Sequence, residues 1–127
     1  MLRSASGRAF IAFCEDAVRE ATLERLRLSG RPGDRWAHAP EYIEKLLSET
    51  RDQGFAFRDP DFGGSFDQSR MGEDDKRDSM GVPIRLGNHV PGAINITWSR
   101  RVFTREKAVQ VFAAPLLDAA EQIARKL

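Results

Sequence analysis

The sequence predicts an α+β domain in which an antiparallel sheet packs against helices. Three observations predict it. Apolar residues recur at helical spacing near both ends of the chain. Between those ends, two neighbouring segments alternate apolar and polar residues with period two, joined by a Gly- and Pro-containing turn. The length of 127 residues, with 41% hydrophobic and 31% charged side chains, suits one globular unit. Antiparallel strands with helices gathered against them define this layer class.

The first helix is expected over Ser6 to Phe13, with Ser4 and Ser6 as candidate N-caps. A second follows over Asp16 to Leu28, rich in Ala, Leu, Arg and Glu, with Gly30 at a C-cap-like position. Ser29 to Pro40 holds two glycines and two prolines and reads as a loop. Pro40 suits the first position of a third helix, whose stripe is Ile43, Leu46, Leu47 and Thr50 and which Gly54 ends. A short strand is expected within Gly54 to Phe57. Arg58 to Asp78 loses all periodicity and reads as a long polar loop.

The strands of the hairpin come next. From Ser79 to Arg85, Met80, Val82 and Ile84 share one face. Leu86 to Gly92 reads as the turn, and Ile94, Ile96 and Trp98 then share a face of the second strand. Thr104 caps a last helix running to Leu127, with the stripe Val109, Phe112, Leu116, Ala120, Ile123 and Leu127. Pro115 lies inside it and predicts a kink over Val111 to Pro115.

The two faces of the hairpin differ in kind. The apolar one requires a helical cover. The other carries Ser79, Gly81, Pro83, Ala93, Asn95 and Thr97. Small side chains leave volume above a sheet, and Ser, Asn and Thr offer donors and acceptors into it, the composition of a ligand-pocket floor. A solvated face is the plain alternative, although such faces usually carry more Lys, Glu and Arg.

Charge excludes several functions. Lys plus Arg total 20 against 19 for Asp plus Glu, a net charge of +1, which excludes a strongly basic nucleic-acid footprint and an acidic tail. The single cysteine, Cys14, excludes a disulfide framework and disfavours a Cys-based metal site. No apolar run reaches the ~20 residues of a membrane span, and Met1 to Phe10 lacks the apolar stretch of a signal peptide. A cytoplasmic protein without a membrane partner is expected.

Five segments, in order, carry a family resemblance: SASGRAFIAF, LLSETRDQGFAFRDPDF, MGVPIR, PGAINITW and FAAPLLDAAEQIARKL. Together they resemble the effector-binding domain of IclR-type bacterial transcriptional regulators, across nearly the whole chain. The resemblance implies a GAF-like fold. It also implies that residues 1–127 form the C-terminal part of that domain, lacking its N-terminal strands, with the winged helix-turn-helix domain absent from this chain. An incomplete sheet exposes an edge.

The implied function is a sensor of a small organic acid, with aromatic acids among the candidates. It acts as a homodimer or homotetramer, reaches DNA only through the absent domain, and needs no cofactor and no metal. Carried over position by position, the ligand contacts are Ala5 and Ser6 opening the first helix, then Arg58, Ser79 and Asn95, with Thr97 next along the same face. A helix N-terminus with unpaired N–H groups suits a carboxylate. Two departures stand out. Arg58 replaces a residue that is often acidic in relatives and is expected at the surface, the alternative being an inward guanidinium that pairs an anion. The loop from Gly63 to Arg77 is longer than usual and is expected to be disordered or mobile, the alternative being a lid.

Sharper chemistries are weighed against plain ones. Cys14 as a nucleophile needs a base, and only His38 and His89 exist, so a buried thiol is favoured. Glu73, Asp74 and Asp75 lack cation-loop spacing and read as a solvated loop. Asp59 and Asp61 flank Pro60 and more naturally organise the backbone than act as an acid–base pair. Arg100, Arg101, Arg105 and Lys107 read as solvated or as contacting a neighbouring subunit. Trp36 and Trp98 read as core or interface. No catalytic set can be assembled, so no enzyme is expected. A ligand-free association module and, more remotely, a GAF-like enzyme remain as alternatives.

Overall fold

The structure is a computed structural model and describes residues 1–64 and 69–127. Along the chain it forms α1 (Ala5–Phe13), α2 (Asp16–Leu28), a 3-10 helix (Pro32–His38), α3 (Pro40–Gln53), β1 (Ala56–Phe57), β2 (Arg77–Leu86), β3 (His89–Ser99) and α4 (Arg105–Arg125). The strands make one antiparallel sheet in the order β1-β2-β3.

Local chemistry sets the helix ends. The Ser4 hydroxyl accepts from the Gly7 N–H at 3.2 Å, satisfying an otherwise unpaired donor in the first turn of α1. Thr104 does the same for Lys107 at the start of α4. Gly54 ends α3 at φ +86°, the left-handed conformation that glycine adopts without a Cβ penalty. The C-terminus of α1 is closed by arginines. Arg19, buried in α2, donates to the carbonyls of Ile11 at 2.8 Å and Cys14 at 2.6 Å, and Arg51 of α3 donates to Ala12 at 2.9 Å. Cations at a helix C-terminus satisfy its last carbonyls and oppose its dipole.

The hairpin register is Ser79↔Thr97, Gly81↔Asn95 and Val82↔Ile94. The turn is shorter than the sequence suggests. Leu86 pairs with His89, so only Gly87 (φ +60°) and Asn88 turn the chain, while Val90, Pro91 and Gly92 belong to β3. The extra residue is absorbed by a register shift between Ile84 and Leu86, a bulge that accommodates Pro91.

Helices cover both faces. On one, α4 buries Met80, Val82 and Trp98 with Ala108 and Ala120, and Ile84, Ile94, Ile96, Phe112 and Leu116 pack around them. This is the cover that the apolar face requires. Pro115 does not end α4, which continues through it to Arg125; Pro115 is exposed, and so is Val111, whose carbonyl has lost its helical donor. On the other face α1 lies on β2, and behind it Leu2, Ile11, Leu23, Ala37 and Leu46 form a second cluster with Trp36 and Tyr42. The expected loop before α3 is therefore partly helical: the 3-10 turn brings Ala37 and Trp36 into this cluster, with Trp36 stacked on Tyr42 at 4.9 Å.

Candidate functional site

The small-residue face of the hairpin is where α1 begins. A Cβ on Gly81 would meet the Ala5 carbonyl oxygen at 2.6 Å and the Ser6 nitrogen at 2.9 Å. Ala5 is buried beneath this contact. Over Gly81 the missing side chain therefore makes room for helix backbone, and the open part of the face lies beside it, towards β3.

There Ser79, Thr97 and Asn95 form a hydroxyl–hydroxyl–amide row. Ser79 Oγ and Thr97 Oγ1 lie 2.9 Å apart, and the Asn95 amide donates to Thr97 Oγ1 at 3.4 Å. Ser79 is buried, whereas Asn95 and Thr97 are exposed on the edge strand. Because Gly81 pairs with Asn95, this row stands next to the first turn of α1. Five of the sequence-derived positions (Ala5, Ser6, Ser79, Asn95 and Thr97) are thus brought together around one ledge.

Arg58 takes a different course. Its backbone N–H donates to the Ser79 carbonyl at 3.1 Å, beside the ledge. Its side chain is 6% exposed, against the expectation of a surface arginine. It grips Asp75 with both terminal nitrogens, at 2.6 and 3.1 Å, and donates to the Phe62 carbonyl at 3.0 Å. The internal carboxylate occupies the fork that an anionic ligand would need. In turn, the Arg58 hydrogen bond holds the Asp75 carboxyl below its ordinary range.

The acidic loop is tied down at one further point, and the start of β2 at another. Asp74 pairs with Arg100, and Arg105 pairs with Asp78 at 2.5 Å while lying over the Phe57 ring at 4.4 Å. Asp74 and Asp75 are therefore ion-paired rather than merely solvated, and Arg100 and Arg105 are internal staples rather than solvated charges. Of the loop over Gly63 to Arg77, residues 65–68 lie outside the described residues. Its flanks are hydrogen-bonded, with a bridge between Phe62 and Ser69 and a bond from Asp75 N–H to the Gly63 carbonyl at 2.9 Å.

The other candidates take plain roles. Cys14 is buried, its Sγ 3.7 Å from the Ile11 carbonyl, and burial pushes its thiol up. His38 contacts the Arg27 carbonyl and His89 faces Glu15. Asp59 accepts from the Asp61 N–H at 2.9 Å, organising the Pro60 turn, and from the Tyr42 hydroxyl at 2.8 Å. Burial first, and then this bond to Asp59, raise the Tyr42 pKa. Trp98 is buried against Phe112. Among the described residues no group of three or more His, Cys, Asp or Glu could hold a metal ion, and no helix is long and apolar enough to cross a membrane.

Sequence reasoning did not anticipate the surface clefts. A cleft of about 260 Å³ lies between α1, α3 and the Asp59 turn, lined by Arg8, Tyr42, Lys45, Glu49 and Arg105 among others. Its residues come from separated elements, so no local pattern announces it.

The fold is thus that of a helix-covered antiparallel sheet with a polar ledge at the head of α1. No protein-family model matches the chain. Solved structures do, and many of them are IclR-family transcriptional regulators, matched over nearly all of this chain. The IclR protein of Thermotoga maritima is 26% identical, with a TM-score of 0.70 over 99% of this chain and 47% of its own. A transcriptional regulator from Rhodococcus is 21% identical, with a TM-score of 0.68 over 98% of this chain and 45% of its own. The inducer-binding domain of PobR from Acinetobacter, solved as a double mutant with 3-hydroxybenzoic acid, is 11% identical, with a TM-score of 0.64 over 96% of this chain and 65% of its own. The chain has the fold of the C-terminal domain of IclR-family regulators, as the sequence resemblance implies. It spans under half the length of the Thermotoga and Rhodococcus proteins. These neighbours are regulators, not enzymes.

Proposed function

We propose that this chain is the small-molecule-sensing part of an IclR-type transcription regulator. It binds a small organic acid, an aromatic one included, at the ledge formed by Ser79, Asn95 and Thr97 beside Ala5 and Ser6. The observation that carries this reading is the convergence of those side chains on the first turn of α1, in a fold shared with an inducer-binding domain. A carboxylate there would meet the amide end of the helix, where partial positive charge collects, and take hydrogen bonds from the hydroxyls and the Asn95 amide. Arg58 supports the ledge through its backbone and leaves the ligand contacts to the others. No chemistry is performed.

Binding favours one arrangement of subunits over another and so alters the DNA affinity of a winged helix-turn-helix domain outside residues 1–127. Such a regulator works in the cytoplasm as a homodimer or homotetramer. The test is a thermal-shift screen of organic and aromatic acids on the intact chain, repeated with Ser79→Ala and Asn95→Leu. A ligand stabilises the folded state by mass action, so a genuine one raises the melting temperature in a concentration-dependent way. Both substitutions are expected to abolish the shift. An unchanged shift in both sinks the assignment of the ledge.

A further inference from the structure

The cleft between α1, α3 and the Asp59 turn holds a cation whose charge the fold leaves under-compensated. Arg8, on α1, reaches the β1 side of the sheet, whereas the ledge opens towards β3. Its Nη1 donates to the Phe57 carbonyl at 3.2 Å, and its guanidinium carbon lies 5.9 Å from the centre of the Tyr42 ring. Its Nε is buried and bonds nothing among the described residues. Arg19, Arg58 and Arg105 each hold a carboxylate, but among the described residues Arg8 holds none. A half-buried guanidinium without a counter-ion is costly.

The other charges lining the cleft are already engaged. Arg105 is held by Asp78. Asp59 accepts from the Tyr42 hydroxyl and the Asp61 N–H and lies 3.7 Å from Arg3. On the rim, exposed Lys45 and Glu49 approach to 3.9 Å and balance one another. One positive charge, that of Arg8, is left over. The wall beside it is aromatic, formed by Tyr42 and Phe57. The cleft volume of about 260 Å³ is below that of most drug-sized pockets and suits a small guest.

We propose that this cleft is a second ligand site, which takes a small monocarboxylate. The carboxylate sits on Arg8 and the apolar body lies against Tyr42 and Phe57. Nη2 is the donor, because Nη1 already serves Phe57 and Nε is sealed from the cleft. One carboxylate matches one uncompensated charge. A phosphate dianion would set surplus negative charge against Glu49 and Asp59. The site shares no residue with the ledge and does not rest on the ligand reading given for it.

Titration of the isotope-labelled intact chain with benzoate, followed by amide chemical shifts, tests this. The Arg8, Tyr42, Lys45 and Phe57 signals should move and saturate, with a dissociation constant on the order of millimolar. Neutral benzamide should leave them in place. Arg8→Gln keeps a donor for the Phe57 carbonyl and should weaken binding about tenfold, the usual worth of a hydrogen bond to a charged group. Lys45 is exposed, so Lys45→Glu should leave the circular dichroism spectrum unchanged and weaken binding about fivefold by making the rim acidic. It also decides the matter should Arg8→Gln fail to fold. Ser79→Ala combined with Asn95→Leu should leave the cleft signals responding as in the parent. Movement confined to Ser79, Asn95 and Thr97 overturns the second site and leaves the ledge standing. Cleft shifts that benzamide reproduces, that Lys45→Glu leaves at parental affinity, or that the ledge variant abolishes overturn it too. So does the absence of any cleft shift up to about 50 mM benzoate, well beyond a millimolar dissociation constant.

Discussion

Gly81 lies against the backbone of Ala5, with no room between them for a methyl group. The start of α1 rests on β2 through this contact, and the position of the ledge depends on it.

A side chain at position 81 should therefore lift α1 from the sheet. Gly81→Val is expected to destabilise the domain by about 1–3 kcal/mol, the usual cost of forcing volume into a packed contact. Urea denaturation measures it. A midpoint equal to that of the parent would mean that α1 is not seated as described.

Arg19 joins α1 to α2 by closing two carbonyls at the end of α1. Replacing it with Met keeps much of the stem and deletes the donors. The expected loss is about 2–3 kcal/mol, since buried acceptors are left without partners. Because the two helices share the bond, hydrogen exchange should rise in both α1 and α2. A rise in α2 alone would contradict the linkage.

The acidic loop makes stability depend on acid. Asp74 is lowered from 3.8 to about 2, first by the hydrogen bond from Arg100 and then by the Lys76 N–H, and Asp75 is lowered first by Arg58. A carboxyl with a lower pKa folded than unfolded adds stability above its unfolded value and loses that contribution as pH falls through the folded one. Stability should fall between about pH 4 and pH 2. Arg100→Leu should remove the Asp74 share and flatten the curve of urea midpoint against pH. An equally steep curve in that variant would assign the dependence elsewhere.

Cys14 is 4% exposed and its thiol is shifted upward by burial. Labelling by an aromatic disulfide reagent at pH 8 should be slow in the native chain and should accelerate in urea in step with unfolding. Immediate labelling of the folded protein would show an accessible thiol and reopen a reactive role.

Regular elements were legible because each carries its own signals. Asp16–Leu28 and Pro40–Gln53 were readable from composition, Pro40 and Gly54. The apolar side of the hairpin announced its helical cover. What stayed hidden depends on distant partners. Arg58 looks like a surface residue until Asp75, on the far side of the polar loop, closes on it. Asp74 looks solvated until Arg100 reaches it from beyond β3. Gly81 reads as room for a ligand, but the volume is taken by α1, a contact between segments about seventy-six positions apart that no local pattern encodes. The Val-Pro-Gly run reads as a turn because its bulge is visible only against β2.

The exposure of Asn95 and Thr97 bears on affinity. Both face water, which competes for every hydrogen bond a guest could make, so each bond is worth only a fraction of its strength in a dry site. A small acid resting on this ledge alone should bind weakly, with a dissociation constant on the order of millimolar, equivalent to about 4 kcal/mol. Roofing the ledge with any apolar cover would tighten binding without altering a single contacting group.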